Sequence, residues 1–280
     1  MGEHCRVYCR LTRDALYNLH ELALDGNFVH KITTFPDVEV FLYNPDTLSH
    51  FQEILRISHD LPTMQLSYDT TFNLGDFYIS ILLFRYTIFQ ESPVVPLAYM
   101  IHERKYTSTH TAFFQYLQSI CPEIDSAQKV IMITDSETAI RQGILNAFPN
   151  LKVFLCWNHL FQNCKRWLRD HGVSTSMELT YYVDTLRSLF ASQSKQTYTD
   201  SLLQKTTEWS QPFASYFVDT IHPVIDCIGT WELQAFGFDS ATTNASEAFN
   251  CVLKKLQVKK TELYLYRSDR YSNLFKCTCA

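Results

Sequence analysis

The sequence predicts an α/β fold: a mixed five-stranded sheet in the order β-β-β-α-β-α-β-α, flanked by helices, with a helical insertion before the last helix. Three observations carry this. Between residues 64 and 102, three runs of β-branched and aromatic residues follow one another through connections too short for a parallel crossover, so they pair antiparallel. Lys129 to Thr134 (KVIMIT) and Leu151 to Leu155 are nearly continuous apolar runs, the composition of strands buried on both faces. Segments with helical spacing separate and follow these two runs.

Residues 1–60 read as a small α+β lead-in. Leu48, Phe51, Ile54 and Leu55 have helical spacing, Val38 to Tyr43 is a short apolar run, and Phe35-Pro36 and Asn44-Pro45 are turn signals. The core begins at 61 and its first part extends to 173. Met64 to Phe72 alternates apolar and polar residues, Asn73 to Asp76 makes a turn, and Phe77 to Ile88 and Val94 to His102 complete the antiparallel group. Thr107 to Ile120 places Phe113, Phe114, Leu117 and Ile120 on one helix face, and Pro122 stops it. Helices over Ser136 to Phe148 and Asn158 to Arg169 alternate with the two apolar strands. Residues 174–239 lose the strand signal and form the helical insertion, and 240–280 supply a core-completing helix, Thr243 to about Val258, and a basic tail.

Composition narrows the class of protein. The 280 residues are 46% hydrophobic with only 7 Gly and 9 Pro, which excludes disordered, collagenous and linker-rich chains. The most apolar stretch, Phe77 to Phe84, is far shorter than the ~20 residues of a membrane-spanning helix, so no membrane is expected. The N-terminal segment carries charges and cysteines where a secretory signal has its apolar stretch, so secretion is not expected. Nine cysteines, an odd number without dense spacing, fit thiols in the nucleus or cytoplasm. Charge is uneven: residues 251–280 carry +5 and the first 250 residues −10. Such a tail suits an anion, although Lys254, Lys255, Lys259 and Lys260 also suit the C-terminal end of a helix dipole.

Three carboxylates stand out. Asp69 lies inside a strand where an unpaired charge costs several kcal/mol. Asp135 ends the KVIMIT strand, at the carboxyl end where α/β sheets place ligand sites, although it also suits a helix cap. Glu247 falls in the first turn of the last helix, where a capping role is the simpler reading in isolation. Together they form a hard-oxygen set for two Mg²⁺ or Mn²⁺ ions, the arrangement used for phosphodiester chemistry.

The runs Tyr68-Asp69-Thr70-Thr71-Phe72, Ile133-Thr134-Asp135-Ser136-Glu137, Cys156-Trp157-Asn158-His159-Leu160 and Thr243-Asn244-Ala245-Ser246-Glu247-Ala248-Phe249-Asn250 resemble, in order, those of the MULE (Mutator-like element) transposases of the DDE superfamily. The resemblance covers roughly residues 60 to 260. It implies a ribonuclease H-like fold, Asp69, Asp135 and Glu247 as the catalytic and metal-binding triad, and two divalent ions. It further implies double-stranded DNA, both transposon ends and target, as partner, hydrolytic nicking followed by strand transfer, and a nuclear location. Cys156 and His159 match the family's C-x2-H element, read here as structural or DNA-facing; two ligands fall short of a zinc site, so zinc is not expected.

Lys165, Arg166, Arg169, Lys254 and Lys255 are the candidate phosphate contacts. Family members of full length carry further modules on either side of the core. His4, Cys5 and Cys9, and Cys277-Thr278-Cys279, are incomplete against the metal modules found there. The acidic body and these incomplete flanks leave an alternative open: a truncated or domesticated core acting without catalysis as a nuclear DNA- or protein-binding module. Oligomeric state is open, a homo-oligomer included.

Overall fold

The computed structural model describes residues 15–24, 27–57, 61–74, 77–85, 89, 91 and 93–257. The motifs at His4, Cys5, Cys9, Cys277 and Cys279 and the basic tail beyond 257 lie outside these residues. Seven strands form one mixed sheet: β1 (Val29–Thr33), β2 (Glu39–Tyr43), β3 (Met64–Leu74), β4 (Phe77–Arg85), β5 (Val94–His102), β6 (Val130–Thr134) and β7 (Lys152–Leu155). Their spatial order is β1-β2-β5-β4-β3-β6-β7. β3, β4 and β5 pair antiparallel, and β6 and β7 continue from β3 in parallel.

The sheet is thus wider than the five strands expected. The two extra strands come from the lead-in, where β2 pairs antiparallel with the edge of β5 and β1 with β2. β1 has the sequence VHKIT, with a His and a Lys where a buried strand would have apolar residues, and an edge position tolerates both.

Period-two alternation sorts the strand side chains onto two faces. On one, Phe41, Leu66, Tyr68, Leu82, Phe84, Met100 and Met132 pack against α2 (Pro45–Arg56), α3 (Thr107–Ile120), the short α4 (Glu123–Ser126) and α5 (Thr138–Ala147), whereas α1 (Ala15–Leu24) lies on the other. Asn44 caps α2 by accepting from the Asp46 and Thr47 amides. α3 and α5 approach so closely at Gly143 that an added Cβ would stand 2.6 Å from the His110 Cβ.

The opposite face holds Ile131, Ile133 and Phe154 under α6 (Trp157–Asp170) and the insertion, and Ile81, Leu83 and Tyr99 under α1. The insertion comprises α7 (Ser176–Phe190), α8 (Lys195–Glu208), α9 (Gln211–Tyr216), a π turn over Phe217–Ile221, 3₁₀ turns over His222–Cys227 and Gln234–Phe236, and α10 (Thr230–Leu233). Its aromatic side chains, including Phe190, Tyr198, Trp209, Phe213 and Phe217, make a core continuous with α6. α11 (Asn244–Gln257) then returns to the sheet, where Phe249 packs beside Tyr99 at 6.5 Å between ring centroids.

Candidate active site

Adjacent strands bring the first two acids level. The β3–β6 register ends at Tyr68 opposite Thr134, and the β6–β7 register at Thr134 opposite Leu155. The next residues on the three strands are Asp69, Asp135 and Cys156. They lie on one rim, where β6 and β7 end and the β3–β6 pairing stops, while β3 itself runs on to Leu74, paired with β4; the carboxyl ends of parallel strands are where such sheets place ligands. Cys156 still donates its amide to the Thr134 carbonyl at 2.8 Å, which fixes β7 at this level.

Asp69 faces the α11 side of the sheet and is buried, with 7% exposure. Asn250 donates its side-chain amide to Oδ2 at 2.7 Å. Burial raises its pKa; the neighbouring His159 opposes this, and the Asp135 and Glu247 carboxylates add to it. Asp69 therefore feels both other acids. Asp135 is half-buried and accepts from the amide and hydroxyl of Ser136, and Asn163 donates to that hydroxyl at 3.0 Å. α5 begins at Thr138, after an extended Glu137, two residues later than its spacing predicts.

Glu247 lies in the first turn of α11, but its carboxylate is not spent on a cap. Oε1 is buried without a hydrogen-bond partner and stands 4.0 Å from His159 Nε2. The hydroxyl that a capping box would use, that of Thr243, donates instead to Cys156 Sγ at 3.2 Å, and the Thr243 amide points at the same sulfur at 3.4 Å. Asn158 donates to Asn244 at 2.7 Å, the Trp157 amide to the Ala241 carbonyl at 2.9 Å, and Gln65 to the Thr242 carbonyl at 3.1 Å. Residues 241–247 are thus stitched to the start of α6 and to β3. Trp157 belongs to the core, its indole N–H bonded to the Ile228 carbonyl.

The C-x2-H element sits inside this cluster. Cys156 Sγ, a His159 ring nitrogen and a Glu247 oxygen all lie within 4.8 Å of one another, the one such set of three or more His, Cys, Asp or Glu groups among the described residues. The three acids alone do not make so tight a group. The Cys156 thiol raises the His159 pKa to about 9, burial opposing and Asp135 and Asp69 assisting. Burial pushes the Cys156 thiol up, but hydrogen bonding with His159 and Thr243 outweighs it, and the net shift is downward.

Of the candidate phosphate contacts, Arg166 and Arg169 are exposed on α6 and Lys165 is half-buried. Lys254 and Lys255 lie on α11, with side chains outside those described. Asn250, Thr243, Ser136 and Asn163 were not assigned roles by their sequence context. The available signal was Asn250's position three residues after Glu247, which puts both on one helix face.

No helix among the described residues is long and apolar enough to cross a membrane. No curated protein matches the chain. Residues 65–163 match the MULE transposase domain, a span that contains Asp69, Asp135, Cys156 and His159 and ends before Glu247. Over that span, roughly a third of its length, the chain is similar to the MULE transposase domain.

Proposed function

We propose that this chain is the catalytic core of a MULE-type DDE transposase, ribonuclease H-like in its five central strands, which hydrolyses DNA phosphodiester bonds and transfers the strand end in the nucleus. The observation that carries the reading is the rim itself: Asp69 and Asp135 follow the last paired residues of adjacent parallel strands, and Glu247 acts electrostatically on Asp69 from α11. The donor set fits Mg²⁺ or Mn²⁺. Three carboxylates supply hard oxygens, and the buried Glu247 Oε1 has no hydrogen-bond partner. When bound, two such ions supply a nucleophilic hydroxide and stabilise the leaving oxygen.

The chain's own residues orient that site. Asn250 fixes one oxygen of Asp69, and Ser136, backed by Asn163, fixes Asp135. Hydrogen bonds of this kind hold ligating carboxylates in place before the ion arrives. Arg166 and Arg169 lie further along α6 and offer cations to a DNA backbone leading away from the rim. The acidic balance of the first 250 residues favours a second reading, a binding module without catalysis. Cleavage of labelled duplex DNA with Mn²⁺ separates the two. The catalytic reading predicts nicking by the wild-type chain and none by Asp135→Ala, whereas a folded, Mn²⁺-loaded wild type without activity supports the binding module.

A further inference from the structure

We propose that Cys156, His159 and Glu247 form a second metal site, selective for Zn²⁺ or a similarly thiophilic divalent ion, which competes with the Mg²⁺ or Mn²⁺ site for Glu247. From the sequence, Cys156 and His159 are only two ligands. The fold supplies the third, because Thr243 anchors the start of α11 on Cys156 and brings Glu247 to 4.0 Å from His159 Nε2.

The donor set is that of a three-ligand zinc site with one position left for water. Zn–S and Zn–N or Zn–O bonds of about 2.0 to 2.3 Å put tetrahedral ligands ~3.3 to 3.8 Å apart. Donor atoms already within 4.8 Å of one another need only small side-chain rotations to reach that spacing. Two of the polar groups are also unpartnered: His159 Nδ1 and Glu247 Oε1 are buried without a hydrogen bond. Charge balances as well. Binding releases to solvent the protons that the Cys156 thiol and the His159 imidazole share, and the thiolate and carboxylate then neutralise a divalent ion beside a neutral imidazole, which suits a half-buried place. Thiolate and imidazole favour Zn²⁺ over Mg²⁺, whereas Asp69 and Asp135 favour the harder ion.

Glu247 cannot serve both sets at once, so Zn²⁺ would withdraw one acid from the proposed catalytic triad. This competition rests on the transposase reading above; the site itself does not. The test is titration of the full chain with Co²⁺ under anaerobic conditions, followed by the thiolate-to-metal charge-transfer band and the visible bands of tetrahedral cobalt. The wild type should gain one equivalent of signal that Zn²⁺ bleaches and Cys156→Ser lacks. His159→Gln and Glu247→Gln should each weaken binding at least tenfold, and Asp69→Asn should leave the signal in place. A signal equal in Cys156→Ser and wild type, or unchanged in both other variants, overturns the site; if Cys156→Ser does not fold, the other two decide. In a second arm, Zn²⁺ should release Mn²⁺ seen by electron paramagnetic resonance from the wild type. Mn²⁺ retained beside a fully formed zinc site overturns the competition. A chain that shows the cobalt signal but never binds Mn²⁺ contradicts the transposase reading and leaves the zinc site standing.

Discussion

Asn250 donates its side-chain amide to Asp69 at 2.7 Å across 181 residues of sequence, and the same helix carries Glu247 one turn earlier. One element therefore delivers an acid and also holds a second acid in place. A carboxylate this buried adopts one orientation only if something fixes it. Asn250→Ala should leave the chain folded but lower Mn²⁺ affinity or cleavage about 10- to 100-fold, the usual effect of removing a group that orients a metal ligand. A metal titration equal to that of wild type would reduce Asn250 to a packing residue.

Asp69 itself should be a stability liability when no metal is bound. Its pKa is raised, first by burial and further by Asp135 and Glu247, so its charged form disfavours the native state above that pKa. Asp69→Asn should therefore raise the urea midpoint of the metal-free chain at neutral pH while abolishing Mn²⁺ binding. A marked loss of stability would assign the acid a structural role.

Packing makes its own prediction at Gly143. The His110 Cβ at 2.6 Å, and the His110 carbonyl carbon and Thr111 nitrogen at 3.0 Å, leave no room for a methyl group where α3 and α5 meet. Gly143→Ala should destabilise the chain by about 1 to 3 kcal/mol despite the better helix propensity of alanine, because overpacking outweighs that gain. Equilibrium denaturation measures it, and an unchanged or higher midpoint would mean that the helices separate freely.

Acid sensitivity should arise on the face of the sheet away from the rim. His102 donates from Nδ1 to the Arg104 carbonyl and in its neutral form accepts from Ser80, which in turn accepts from Thr70; His110 shares a hydrogen bond with the Tyr68 hydroxyl. Burial lowers the pKa of His102 to about 4 and of His110 to about 3, with Lys105 contributing to both and His102 to His110. Native pKa values below the unfolded 6.5 mean that the unfolded chain binds more protons between them. Their contribution is complete above pH 6.5 and is lost as pH falls toward 4 and then 3, on the order of 3 to 5 kcal/mol for each group. His102→Gln should flatten that pH dependence, and an acid limb identical to that of wild type would place its cause elsewhere.

Much of this arrangement was legible in the sequence because its signals are local. KVIMIT could only be a strand buried on both faces, and the short connections between 64 and 102 forced antiparallel neighbours. β1 was not legible, since VHKIT has an edge strand's mixed composition and its pairing is decided by β2. Asp69 and Asp135 were found as candidates because each interrupts or ends an apolar strand. The partnership of Cys156 with Thr243 and of His159 with Glu247 was not, because it depends on how the segment after the insertion docks on α6. Capping rules point Glu247 to the helix end, and the docking of this segment on α6 turns it toward His159 instead.

On the proposed reading, Asp69 and Asp135, level on adjacent strands, hold a divalent ion, with Glu247 completing the set. Anomalous diffraction from crystals of the wild-type chain soaked in Mn²⁺ tests it most directly. An anomalous peak should lie within bonding distance of carboxylate oxygens of both Asp69 and Asp135 and be absent from Asp135→Asn crystals. Mn²⁺ bound elsewhere, or a peak that survives in Asp135→Asn, would contradict it.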